Sequence, residues 1–279
     1  MMLILFTFIL SSFSSLCQIK TEFLFEFGNF SHASSFTISA NGIIYVTDIN
    51  KNEILSFDTL GNKIKDVGGF GWQPGLFDQP VDIYSNPLVV YVADKNNHRI
   101  QQLDRNLNFI ASFENKSEDV EQRFGFPLAV SVSNQGDLYL LDGENLRVIK
   151  LDLFGNFITN FGGYDAGKYK LKKPVSLAID KNERIYLLDD NFIRIFDNFG
   201  NHLISIDVEK QLKSIRIVFD KIVIVTSDSI IKFEPLASNY FKDITPSNLN
   251  IRKVVSALIF NQKLYVLFFD KIKVFKVNY

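Results

Sequence analysis

The chain is expected to fold as an all-β, six-bladed β-propeller built from four-stranded antiparallel blades. Three observations carry that expectation. Tyr-x-x-Asp recurs as Tyr45…Asp48, Tyr91…Asp94, Tyr139…Asp142 and Tyr186…Asp189, with 46, 48 and 47 residues between successive aspartates. A fixed period of this size with strand chemistry inside it marks one supersecondary unit per blade. A second repeat, Leu60-Gly61-Asn62, Phe154-Gly155-Asn156 and Phe199-Gly200-Asn201, places a tight turn at one point of each unit. The third observation concerns the two ends. Phe23–Gly28 resembles the last strand of a unit, and the final unit runs out after its third strand. Pairing Phe23–Phe27 with Ile272–Val277 completes the sixth blade and removes an unpaired edge.

The 279 residues are 47% hydrophobic and 22% charged, which suits a folded chain with a sizeable core. Its 28 Phe and 10 Tyr favour pleated, half-buried surfaces. A net charge of −1 supplies no overall field for nucleic acid or an anionic membrane.

Residues 1–19 hold no charged side chain, and Leu3–Leu10 is an apolar run followed by serines. The run is shorter than the roughly 20 residues a spanning helix needs, and reads as the core of a signal peptide. Ser15 and Cys17 suit the −3 and −1 positions of a cut before Gln18. The domain plan is therefore a signal peptide over 1–17 and one propeller over 18–279, exported to a secreted or periplasmic location. An uncleaved anchor is the next alternative, and a lipid anchor on Cys17 a lesser one, because Leu16 before it fits poorly. Cleavage leaves a chain without cysteine, hence without disulfide or thiol chemistry.

In chain order, unit one has strands at Phe36–Ser39, Ile43–Asp48, Ile54–Asp58 and Lys63–Val67, with an Asn41-Gly42 hairpin turn. Unit two, after the glycine-rich stretch from Gly68, has Val81–Tyr84, Leu88–Ala93, Arg99–Asp104 and Asn108–Phe113. Units three and four start at Pro127 and Pro174 and repeat the order. Two degenerate units follow, with three strands legible in each: Ile215–Phe219, Ile222–Thr226 and Ile230–Glu234, then Val255–Phe260, Leu264–Phe269 and Ile272–Val277. No helix of useful length and no domain boundary intervenes.

At Asp94-Lys95-Asn96-Asn97-His98-Arg99-Ile100, with Pro80 and a glycine-rich link before it, the chain resembles an NHL-repeat six-bladed propeller (NHL/YWTD-like). Pro80–Asp104 and Pro127–Asp152 carry the resemblance. Unit one departs from it with Glu53 in place of arginine and Ala33 in place of proline; units five and six rest on period alone. The resemblance implies a scaffold that binds proteins, peptides, sugars or, in cytoplasmic members, RNA. Fold by itself does not assign function.

In such a meander the second-to-third-strand turns and the links between blades share one end. That end carries the long links Gly68–Gln79, Glu114–Phe126 and Gly162–Lys173, and long loops on a rigid scaffold are where binding concentrates. Trp72, Tyr164 and Tyr169 stand in these links, where burial between blades is favoured over a stacking surface at the rim. Aligned units put Ser35, Asp82, Ala129, Ser176, Ser214 and Ser256 at one position of the innermost strands. Two residues on come Thr37, Tyr84, Ser131, Ala178, Arg216 and Leu258. Asp82 and Arg216 are the charged members of these rings. They would suit a zwitterionic or hydrogen-bonding ligand at the channel mouth, so that Asp82→Ala and Trp72→Ala weaken binding at an unchanged melting temperature. Arg99 completes the ligand-binding candidates, Asp82, Arg216, Trp72, Tyr164 and Arg99, although pairing or stacking between blades is its structural alternative.

The four signature aspartates are expected to accept backbone N–H bonds at their turns. His32, His98 and His202 fall at non-equivalent places and build no symmetric metal site. No G-x-S-x-G elbow or phosphate loop is present. The sequence thus reads as a monomeric binding scaffold for a protein, peptide or carbohydrate, with no catalytic residue, cofactor, metal, nucleic acid or membrane span. The alternative is a metal-dependent lactonase-like or lyase-like propeller enzyme.

Overall fold

The first described strand, β1 (Lys20–Phe27), pairs with the last strand of the chain rather than with its neighbour in sequence. The computed structural model describes residues 20–114, 119, 121–235 and 240–278; the leader and Cys17 lie outside the described residues. Blade one comprises β2 (Ala33–Ile38), β3 (Ile44–Asp48), β4 (Glu53–Phe57) and β5 (Lys63–Gly68). Blade two holds β6 (Pro80–Ser85), β7 (Val89–Asp94), β8 (Arg99–Asp104) and β9 (Phe109–Glu114). Blade three holds β10 (Ala129–Val132), β11 (Leu138–Asp142), β12 (Arg147–Leu151) and β13 (Phe157–Phe161). Blade four follows with β14 (Pro174–Ile179), β15 (Ile185–Asp189), β16 (Phe192–Phe196) and β17 (His202–Asp207). Blade five contains β18 (Leu212–Val218), β19 (Lys221–Thr226), β20 (Ile230–Glu234) and β21 (Tyr240–Asp243). β22 (Val254–Phe260), β23 (Lys263–Phe268) and β24 (Ile272–Asn278) form blade six, with β1 as its fourth strand.

These are six antiparallel four-stranded sheets, as the period requires. β21 is the strand missing from the sequence reading. Its four residues, Tyr-Phe-Lys-Asp, have no Gly-Asn turn before them and too few positions to show a period.

Each innermost strand packs against those of the blades on either side, β2 against both β6 and β22, so the ring is closed. β3, β11 and β15 are buried on every residue because sheets cover both of their faces. The outermost strands, such as β5, are covered on one face at most and read as mixed sequences. The core is accordingly a set of clusters between blades. One of them joins Phe36, Val46 and Phe57 of blade one to Leu258, Tyr265 and Val274 of blade six, with Phe25 and Phe27 of β1 packed against it.

The turns joining third and fourth strands are four copies of one design. Asp58, Asp104, Asp152 and Asp197 each accept, on Oδ1, the backbone N–H groups two and four residues on. The Oδ2 atom accepts the Asn side chain four residues on. Asn62 and Asn156, each hydrogen-bonded to its carboxylate, hold Asp58 and Asp152 below the usual carboxylate range. Gly61 has φ +90°, and a Cβ there would sit 2.7 Å from Phe27 of β1. The glycine therefore serves both the turn and the closure of the ring.

Candidate functional site

The register places the aligned residues at equivalent positions of the innermost strands. Ser35, Asp82, Ala129, Ser176, Ser214 and Ser256 each face the residue two after the tyrosine-equivalent position of the second strand. The reason small polar groups stand there is visible in the bonds. An innermost strand has one edge without a strand partner, and its N–H groups need acceptors. Ser35 Oγ accepts from Ile83 N–H, Asp82 Oδ2 from Val130 N–H, and Ser176 Oγ from Ile215 N–H, in each case on a following blade.

Asp82 and Arg216 meet. Arg216 Nη2 lies 2.6 Å from Asp82 Oδ1 and also donates to Ser35 Oγ. Arg216 Nε donates to Phe36 O and Nη1 to Ile215 O, both at 3.1 Å. One guanidinium from blade five thus ties blades one and two across the channel. The sequence reading offered two separate charges to a ligand. In the structure each is the other's hydrogen-bonded partner, Asp82 buried and Arg216 largely so, because their side chains converge across the narrow axis. The open part of the channel, about 370 Å³, lies at the opposite end from the links, among Ala40, Asn86, Asn134, Lys181 and Asp220.

The signature aspartates accept backbone N–H groups, but all four accept those of the incoming link, where the sequence pointed to their own turns; Asp48 and Asp142 hold turn N–H groups as well. Asp48 bonds those of Ser31 and His32, Asp94 that of Asp78, Asp142 that of Gly125, and Asp189 those of Lys172 and Lys173. Each therefore pins the incoming link to its own blade. Arg99 does the same rather than pairing between blades. Its Nε is 2.7 Å from Asp94 Oδ2, and its terminal nitrogens donate to the carbonyls of Trp72, Gln73 and Leu76. Arg147 repeats the ion pair with Asp142, and Arg194 with Asp189. Sequence reasoning missed Arg194, since the turn before it is shorter. It faces Leu187, whereas Arg99 faces Asp94, so two residues along the strand make up for the lost turn. The shared signal was the spacing of five residues after the aspartate.

The aromatic link residues correct the expectation of burial. Trp72 is 65% exposed and Tyr164 82% exposed. Arg99 holds the first link by its carbonyls, so the indole is not needed as an anchor. Tyr164 carries the Lys170 ammonium 4.4 Å from its ring centre. Tyr169 is half-buried and stacks on His202 at 3.9 Å and 15°.

These two tyrosines line a groove of about 730 Å³ where the link leaving blade three crosses the outer strands of blade four. Phe161, Phe196 and His202 form its apolar wall, and Arg147, Asn160 and Asp165 bring polar groups to it. Burial, with Arg194 and Lys168 nearby, lowers the His202 pKa, while His202 Nε2 and Ser205 Oγ are 2.8 Å apart. The unfolded chain therefore takes up this proton at a higher pH than the folded one. Stability should be complete above the ordinary histidine value of about 6.5 and fall as the pH drops through it towards the folded value. Chemical denaturation across that window should show His202→Gln flattening the slope; an unaltered slope would assign the dependence to other groups.

No family model matches the chain. It is 31% identical over 151 residues to Protein brain tumor of Drosophila melanogaster, a stretch covering 52% of this chain and 14% of that protein. Among solved structures, a catalytically inactive virginiamycin B lyase variant from Staphylococcus aureus with quinupristin superposes with a TM-score of 0.62. That match covers 88% of this chain and 80% of the other at 15% identity. A structure provisionally assigned to the gluconolactonases gives a TM-score of 0.66 at 12% identity, covering 94% and 93%. The likeness to these structures is one of fold.

Proposed function

We propose that the protein is an NHL-type propeller acting as an exported binding scaffold, holding a peptide or glycan segment in the groove beside Tyr164 and Tyr169. The groove carries this reading: aromatic faces and hydrogen-bonding groups together on a link fixed to a rigid blade. The similarity to Protein brain tumor and the Asp94–Ile100 signature support the NHL assignment, and the uncharged leader supports export. Chemistry on a metal needs donors converging on one point. Among the described residues no group of three His, Cys, Asp or Glu does so, and the metal-dependent lactonase-like or lyase-like enzyme stands as the alternative reading.

Peptide and glycan arrays probed with the purified protein should identify the ligand class. Tyr164→Ala and Tyr169→Ala should each weaken the array hits roughly tenfold or more, about 1.4 kcal/mol, with the melting temperature of the Tyr164 variant unchanged. Full binding by both variants would move the site away from this groove.

A further inference from the structure

The turns joining first and second strands gather around the channel axis and brace one another. Asn41 Nδ2 of blade one donates to Pro87 O of blade two. Asn134 of blade three donates its backbone N–H to the Glu183 carboxylate and its side-chain amide to Lys181 O, both in blade four. Lys181 Nζ in turn lies 2.7 Å from Asp220 of blade five. These turns wall the channel cavity of about 370 Å³, which shares no lining residue with the groove beside Tyr164. On its link side Arg216 crosses the channel to Ser35 and Asp82.

The polarity of the lining selects what can enter. Each charged residue in it already has a partner: Lys181 has Asp220, and Asp180 has Arg184 at 2.6 Å and the Tyr186 hydroxyl at 3.0 Å. The Arg216 guanidinium is likewise taken, by Asp82, Ser35 and two carbonyls. What remains is neutral. Thr37 Oγ1 and Ser85 Oγ stand 3.5 Å apart, and the Tyr84 hydroxyl makes no hydrogen bond among the described residues. Burial pushes the Tyr84 pKa up to about 12, so the phenol stays protonated and can both donate and accept. Val132, Ile179 and Ile217 supply apolar wall beside it.

We infer that this cavity binds an uncharged small molecule with an apolar body and a hydroxyl group, the class of a phenol or a cyclic alcohol. A charged ligand would give up its hydration where every counter-charge is already engaged. A polyol would set most of its hydroxyls against Val132, Ile179 and Ile217, where they find no partner. A neutral molecule with one hydroxyl buries its body on that wall and bonds Tyr84. The blade-to-blade bonds hold the turns in place beforehand, which lowers the ordering cost of binding.

The test is saturation-transfer NMR on the full chain with three probes: benzyl alcohol, benzoate and myo-inositol. Benzyl alcohol has the body and the hydroxyl, benzoate adds a charge, and myo-inositol lacks the apolar body. Benzyl alcohol alone should give a strong signal. Ala40→Trp, at an exposed position on the rim, should abolish it by filling the mouth. Tyr84→Phe, which keeps the ring and its packing, should weaken binding about fivefold. Tyr164→Ala should leave the signal unchanged, which separates this cavity from the groove. Equal signals from benzoate or myo-inositol, no signal from benzyl alcohol, or a signal indifferent to Ala40→Trp in a folded variant would each overturn the proposal.

Discussion

Excising residues 20–28 should cost the protein at least about 3 kcal/mol and its monodispersity. β1 pairs with β24 from Lys20↔Asn278 to Phe27↔Ile272, with a bulge between Phe23 and Phe25. Phe25 and Phe27 are half-buried against the cluster that joins blades one and six, and burying a phenylalanine fully is worth about 1.5–3 kcal/mol. Phe27 also packs 5.3 Å from Phe57, so its loss reaches across the seam into blade one. The ion pairs of Glu26 with Lys271 and Lys273 are exposed and add little. The larger consequence is the bare edge of β24, a seven-residue strand carrying Ile272, Val274, Phe275 and Val277, which would pair with another chain. Thermal melting and light scattering measure both effects. A synthetic peptide spanning 18–28, added in trans, should restore the melting temperature by taking the vacant edge. An excised variant that melts as the parent and remains monodisperse would remove β1 from the closure of the ring.

Arg216→Met should destabilise the fold by about 3–5 kcal/mol, because it leaves the Asp82 carboxylate buried without its counter-charge. Asp82 would keep the Ser35 hydroxyl and the Val130 N–H, two neutral donors where a guanidinium stood. Arg216 would also release Phe36 O and Ile215 O at strand edges facing the channel. Combining Arg216→Met with Asp82→Asn should recover much of the loss, since removing both charges avoids the unpaired one. Urea denaturation of the two single variants and the double variant forms the cycle. Additive losses would mean that the pair is not coupled. On this geometry Asp82→Ala acts on stability first, the reverse of the binding-only effect that the sequence suggested.

The repeat made the architecture legible in the sequence. Tyr-x-x-Asp, the Gly-Asn turns and the unmatched first strand are local or periodic signals, and they sufficed for six blades, the order of strands and the closure by β1. The same periodicity aligned the residues of both rings on the innermost strands and picked out the four aspartates as acceptors of backbone N–H groups, although those groups belong to the incoming links. What it left open was how side chains from different units meet. Asp82 and Arg216 are 134 residues apart, so two charges read as separate became one ion pair only when the ring brought their strands to a common axis. Trp72 stayed exposed because Arg99 holds its link by backbone carbonyls, and the Tyr164 link is pinned through the Lys172 and Lys173 N–H groups to Asp189, bonds to which the aromatic identity contributes nothing. Arg194 regained the aspartate by standing two residues further along its strand; its spacing of five residues after Asp189 was in the sequence, but the shorter turn hid it. The groove beside Tyr169 exists because a link from blade three crosses the outer strands of blade four. Sequence period determines each blade and its place in the ring; the contacts between blades, and every cavity and ion pair formed there, come from distances that only closure of the ring sets.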